Sequence, residues 1–263
     1  MEVLNHYSLI RKRLEENIRE GKKSMAAYLM LGYPDLKTSI KAMIELTDLG
    51  VDIIEIGFPF SDPTADGPVI QAAGATALKQ GVTLDDLFNT VHLISKDTNS
   101  LPLVMTYGNI PFQYGFDKFI QKGVSSGLQG VIFPDIPPKH FPKELTPLKP
   151  IYLASPLTND QRLEELVNST TGFLYLVSHL GITGDRSLVD QRLVQLVSKV
   201  KKINSDIPVM LGFGISDQNG VTNAMKIGVD GIVVGSALIK AVGKDGNLQK
   251  LRELTILLKK ELK

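Results

Sequence analysis

Eight short runs of apolar, largely β-branched residues recur along the chain, each followed by loop or helix-patterned sequence. They fall at 25–31, 51–56, 101–106, 130–133, 150–154, 173–178, 207–211 and 231–234. Short buried strands separated by helices pair in parallel through crossover connections. The intervening stretches take a helical period at 36–49, 83–95, 116–122, 160–167, 188–203 and 220–227. A further helix is expected ahead of the first strand, over 7–20, and helices run from the last strand to the end. A glycine- and proline-rich loop leads from the second strand to the helix at 83–95, and a Pro-rich link joins the fourth strand to the fifth. Eight such units in about 250 residues match a (β/α)8 barrel, whereas a doubly wound sheet usually has fewer strands. No shift in composition marks a boundary. The expected fold is therefore α/β, a single-domain (β/α)8 TIM barrel over residues 1–263 with an extra N-terminal helix.

Composition narrows the function classes. Lys plus Arg number 29 against 28 for Asp plus Glu, a net charge of +1 with no basic block, which argues against a nucleic-acid partner. The absence of Cys removes disulfides, thiolate nucleophiles and Cys-ligated metal sites. No uninterrupted apolar run approaches the roughly 18 residues of a membrane span. Residues 1–23 are charged and helix-patterned with no apolar core of a secretory signal, so the expectation is a cytoplasmic protein.

In such a barrel, chemistry sits at the C-terminal ends of the strands and in the loops just beyond them. Glu55 ends the second apolar run, in step with Val51 and Ile53 on one strand face. Facing inward, a carboxyl there is desolvated, its pKa rises toward neutrality, and it serves as an acid and base near pH 7. Facing outward, it is an ordinary structural Glu. The loop that follows, from Phe58 to Pro68, holds Asp62 and Asp66 among prolines and a glycine. They read either as turn formers or as part of a stiff loop that aims a carboxylate into the mouth. Asp62 and Asp66 have no further ligand set nearby, and no metal site is expected. Late in the chain come Gly181-Ile182-Thr183-Gly184, Gly212-Phe213-Gly214-Ile215-Ser216 and Gly235-Ser236-Ala237. Loops after strands seven and eight often cradle phosphate through bare backbone N–H groups, and glycines also simply make tight turns. No Lys stands in 173–178 or at another strand end to form a Schiff base. The four His residues lack metal-ligand spacing: His6 and His92 fall in helical stretches, His140 in the Pro-rich link, and His179 in a loop at the mouth.

Taken together, these segments resemble the tryptophan synthase alpha subunit family over nearly the whole chain. The run from Glu55 through Pro59-Phe60-Ser61-Asp62-Pro63 to Ala65-Asp66-Gly67-Pro68 and Gln71 is the most specific part. Tyr107-Gly108-Asn109, Pro134-Asp135-Ile136-Pro137 and the three glycine segments agree with it in order and spacing.

The resemblance implies a lyase that cleaves indole-3-glycerol phosphate in a retro-aldol step to indole and glyceraldehyde 3-phosphate, in tryptophan biosynthesis. It implies Glu55 as the acid and base, and Asp66 as the carboxylate facing the indole N–H. It places Tyr28, Tyr107 and Tyr175 in or beside the substrate pocket and assigns phosphate binding to Gly184, Gly214, Gly235 and Ser236. Thr183 falls in a loop that closes over substrate and meets Asp66. Asp62 and Asn109 match positions that face a beta subunit. The implied assembly is α2β2, with pyridoxal phosphate only on the beta subunit and no cofactor on this chain.

Four positions depart from the family pattern: Met30 where Thr is usual, His179 where Arg is usual, Leu180 where a small residue is usual, and Thr64 where Leu is usual. They bear on loop closure and on activation by the partner. They keep a second reading open, a beta-subunit activator with little or no catalysis of its own; a third is a phosphate-binding barrel isomerase or aldolase with a different strand-end acid/base set.

Overall fold

The structure is a computed structural model and describes residues 8–178, 190–212 and 214–262. Helix α1 (Leu9–Arg19) precedes strand β1 (Ser24–Met30), which is followed by α2 (Leu36–Asp48), β2 (Ile53–Gly57), α3 (Pro68–Lys79) and α4 (Leu84–Asp97). Next come β3 (Leu101–Met105), α5 (Asn109–Tyr114), α6 (Phe116–Ser126), β4 (Gly130–Ile132) and two 3-10 turns (Pro138–His140 and Lys143–Leu148). The series continues with β5 (Tyr152–Ala154), α7 (Asp160–Ser169), β6 (Leu174–Val177), α8 (Gln191–Ile203) and β7 (Val209–Gly212). It ends with α9 (Gln218–Ile227), β8 (Gly231–Val234), α10 (Ser236–Val242) and α11 (Gln249–Lys260).

The eight strands form one parallel sheet in the order β4-β3-β2-β1-β8-β7-β6-β5. A parallel bridge between Val131 and Pro150 draws its two edges together. There the Ile151 N–H donates to the Val131 carbonyl at 2.9 Å. The result is the nearly closed TIM barrel expected from the sequence. Strand interiors are buried on both faces, as parallel strands between a core and a helix ring must be.

Two helices lie outside the sequence expectation. α3 occupies the segment read as a glycine- and proline-rich loop, where Asp-Gly and Asp-Pro look like turn chemistry, and α5 occupies a segment assigned no element. Pro68 instead stands in the first turn of α3, where its fixed φ and missing N–H cost nothing. The Ala-rich sequence behind it then favours the helix.

The expected extra helix, α1, lies across the N-terminal end of the barrel. Ser8 caps it by accepting the Arg11 N–H at 3.1 Å, and Ile10 and Leu14 are fully buried. Each such burial stabilises by about 1.5–3 kcal/mol. Ile10 packs beside Gly130 and Gly172, while Asn17 Nδ2 donates to Ser24 Oγ and Asp52 Oδ1, both at 2.9 Å. This end of the barrel is thus committed to stability.

Asp230 anchors the same end. Its Oδ2 accepts the Val209 N–H at 2.9 Å and Lys201 Nζ at 2.8 Å, with the residue 8% exposed. Asp230→Ala strands a buried N–H and a half-buried ammonium, and is expected to cost about 3 kcal/mol. A thermal melt should fall by roughly 5–10 °C. A change below 2 °C, by the same rough conversion, would remove Asp230 from this role.

Among the described residues no helix is long and apolar enough to cross a membrane.

Candidate active site

The opposite, C-terminal end of the strands holds a cavity. Its wall is built from Tyr28 on β1, Glu55 on β2, Met105 on β3, Tyr175 on β6 and Val233 on β8. Asp66 and Ile70 enter from the segment after β2, Gly214 and Ile215 from the loop after β7, and Gly235 and Ser236 from the start of α10.

Glu55 faces inward. It is fully buried, and neither carboxyl oxygen has a hydrogen-bond partner. The choice the sequence left open is decided by the barrel's curvature, which turns the face shared with Val51 and Ile53 toward the axis. Desolvation without a compensating donor disfavours the anion. Burial first, and the charge of Asp66 second, push the Glu55 carboxyl up from 4.5 to about 8.

Asp66 is held by a loop laced to itself and to its neighbours. Its N–H donates to the Pro63 carbonyl at 3.1 Å, and Gln71 Nε2 donates to the Asp66 carbonyl at 2.9 Å. The Ala65 N–H donates to the Tyr107 hydroxyl at 2.9 Å, and the Tyr107 ring stacks on Phe60 at 5.0 Å between centroids. The turn chemistry and the aimed carboxylate are therefore both present, the first serving the second. Burial pushes the Asp66 carboxyl up to about 6. Near pH 7 the cavity accordingly holds one protonated and one ionised carboxyl, an acid beside an anion.

Tyr107 stands beside the cavity, next to Tyr28 and Asp66, and is not part of its wall. Its hydroxyl accepts the Ala65 N–H and its ring stacks on Phe60, so it braces the loop that presents Asp66. A second brace joins the loops after β3 and β4: the Gly108 N–H donates to both carboxyl oxygens of Asp135 at 3.0 Å.

Tyr28 and Tyr175 do line the cavity, and each occupies a slot made by a glycine. A Cβ on Gly57 would stand 2.2 Å from the Tyr28 hydroxyl, and one on Gly212 would stand 2.4 Å from that of Tyr175. Any side chain at either position would evict the ring. These two strand-end glycines, with Ile70, Met105, Ile215 and Val233, are the site residues that sequence reasoning did not assign. Gly212 was visible as part of a glycine segment, but its job is to admit a tyrosine from the neighbouring β6.

Gly214 and Gly235 border the cavity, and Ser236 opens α10, whose first-turn N–H groups have no acceptor within the helix. Asp62 and Asn109 are exposed at the rim and stand clear of the cavity wall. Of the four departures, Met30 is buried with its methyl 3.4 Å from a Cβ position at Gly74 on α3, and Thr64 is exposed. His179, Leu180, Thr183 and Gly184 lie outside the described residues. Among the described residues no three His, Asp or Glu side chains converge as a metal site would require.

The family model described as "Tryptophan synthase alpha chain" matches residues 14–263. The tryptophan synthase alpha chain of Petrotoga mobilis is 39% identical over 233 residues, covering 87% of this chain and 90% of the relative. That of Mycobacterium marinum is 41% identical over 243 residues, covering 90% and 88%. Among solved structures, a chain of tryptophan synthase from Mycobacterium tuberculosis superposes with a TM-score of 0.88 at 34% identity, covering 97% of this chain and 98% of that one.

Proposed function

Because the chain belongs to the tryptophan synthase alpha chain family, we propose that it cleaves indole-3-glycerol phosphate to indole and glyceraldehyde 3-phosphate. Membership carries a lyase role in general and implies a beta subunit as partner. The single observation that carries the specific reaction is Glu55, a fully buried carboxyl with no partner, set within β2 on the cavity wall beside Asp66.

The chemistry needs what this pair offers. Glu55, neutral below about pH 8, gives its proton to C3 of the indole ring. The ring then carries positive charge at nitrogen, and the Asp66 carboxylate facing its N–H stabilises it. The Glu55 carboxylate so formed takes the proton of the glycerol hydroxyl next to the ring. As the C–O bond becomes a carbonyl, the C–C bond breaks and its electrons return to the indole. One proton is lent and one recovered, so the balance closes with no cofactor on this chain. Ile70, Met105, Ile215 and Val233 give the ring an apolar wall, and Tyr28 and Tyr175 border it. Gly214, Gly235 and Ser236 hold the phosphate, with Gly184 in the same role and Thr183 closing over the substrate toward Asp66. Asp62 and Asn109, exposed at the rim, meet the beta subunit in an α2β2 assembly, and the indole passes to that pyridoxal-phosphate-dependent subunit.

The test is indole release from indole-3-glycerol phosphate by the purified chain, alone and with a tryptophan synthase beta subunit. Slow release alone that rises strongly with the beta subunit is expected. No indole in either condition, with faster tryptophan formation from added indole and serine, would make the chain an activator and sink the lyase reading.

A further inference from the structure

The geometry points to Tyr28 as a positioning residue whose hydroxyl turns onto Glu55 once that carboxyl has given up its proton. The inference deepens the reading of Glu55 given above and rests on it. Tyr28 on β1 and Glu55 on β2 are register partners, so their side chains leave adjacent strands at one level on the inner face. The Tyr28 ring leans toward the mouth until its hydroxyl lies over Gly57. Gly57 is two residues beyond Glu55 on the same face of β2, about 6.6 Å further along the strand. The hydroxyl therefore stands on the mouthward side of the Glu55 carboxyl, where substrate enters.

Tyr28 is 5% exposed, and its hydroxyl makes no hydrogen bond to any described residue. Glu55 likewise lacks a donor. While Glu55 is protonated the two need nothing from each other. When it ionises, a buried anion forms beside an unused O–H, and a charge-assisted bond is the strongest interaction open to either group. Burial, then the charges of Asp66 and Glu55, raise the Tyr28 pKa well above its ordinary value, so the phenol keeps its proton as a donor. The other titratable groups facing Glu55 are Asp66 from the loop after β2 and Tyr175 from β6. Tyr175 leans over Gly212, on the far side of the cavity from Gly57.

The test is a carboxyl titration followed by 13C NMR on the full chain labelled at glutamate, with the Glu55 signal assigned by its loss in Glu55→Gln. In Tyr28→Phe the Glu55 midpoint is expected to rise by about one pH unit, because the anion has lost its donor. The alkaline limb of kcat for indole release should move the same way, with KM changed less than about twofold. Gly57→Ala, which displaces the hydroxyl without deleting it, should raise the midpoint too and serves if Tyr28→Phe melts early. An unmoved Glu55 midpoint in both variants would overturn the inference and leave the lyase reading intact. A raised midpoint in a chain that releases no indole would instead overturn the reaction and keep the Tyr28–Glu55 coupling.

Discussion

Glu55→Gln is expected to lower the rate of indole release by about a thousandfold or more, with substrate still bound. The same group is asked to give a proton to carbon and to take one from oxygen, and an amide does neither. The substitution keeps the shape of the side chain and fills the same buried slot on β2. The fold should gain rather than lose. The folded-state midpoint of Glu55, about 8, lies above the ordinary 4.5 of an unfolded chain, so the folded state holds the proton more tightly. Stability from this group is fully present below about pH 4.5, declines as pH rises, and is gone above about 8. Glu55→Gln removes that decline. The variant should therefore be the more stable protein near pH 8, by an amount on the order of a few kcal/mol. Melting curves of both proteins from pH 5 to pH 9 check the sign, in a window set by the same shift. A variant that turns over normally, or one that melts lower at pH 8, would remove Glu55 from the role assigned here.

Asp66→Asn should cost about a hundred- to a thousandfold in kcat, the price of one charge aimed at a developing cation. Its more telling effect is on pH dependence. In the unmodified chain kcat/KM should form a plateau between about 6 and 8, rising as Asp66 ionises and falling as Glu55 does. Asp66→Asn deletes the acid limb. It also takes away the negative charge that helps hold Glu55 up, so the alkaline limb should move to lower pH. Tyr28→Phe moves that limb to higher pH, and the opposite signs separate the two contacts. An acid limb that survives in Asp66→Asn would belong to another group.

The four departures from the family pattern divide by place. Met30 and Thr64 sit beside α3 and on the rim, outside the cavity wall, so the described part of the pocket keeps the groups that the proposed reaction calls for. His179 and Leu180 fall in the same sequence segment as Thr183 and Gly184, outside the described residues, so any consequence bears on the proposed closure and partner activation. Comparing indole release with and without the beta subunit reads that consequence directly.

By itself the sequence determined the eightfold alternation, hence the barrel, and the strand-end positions where a carboxyl would matter. Both follow from local information: a short apolar run is a buried strand whichever way it faces, and a crossover helix allows only parallel pairing. The motif from Glu55 to Gln71 was legible for the same reason, as its parts are contiguous. Tertiary structure alone decided the rest. A strand apolar on both faces does not say which face meets the axis, so Glu55 was inward or outward until the sheet curled. Nothing in the chain said that Tyr107 would brace the loop carrying Asp66 until that loop folded back onto its hydroxyl. α3 was hidden because Gly-Pro opens turns and helices alike, and only packing against the barrel chose the helix. Gly57 and Gly212 said nothing in the chain about Tyr28 and Tyr175, which come from other strands. Their fit depends on the register of β1 with β2 and of β6 with β7, a relation between residues far apart in sequence that exists only once the barrel has formed.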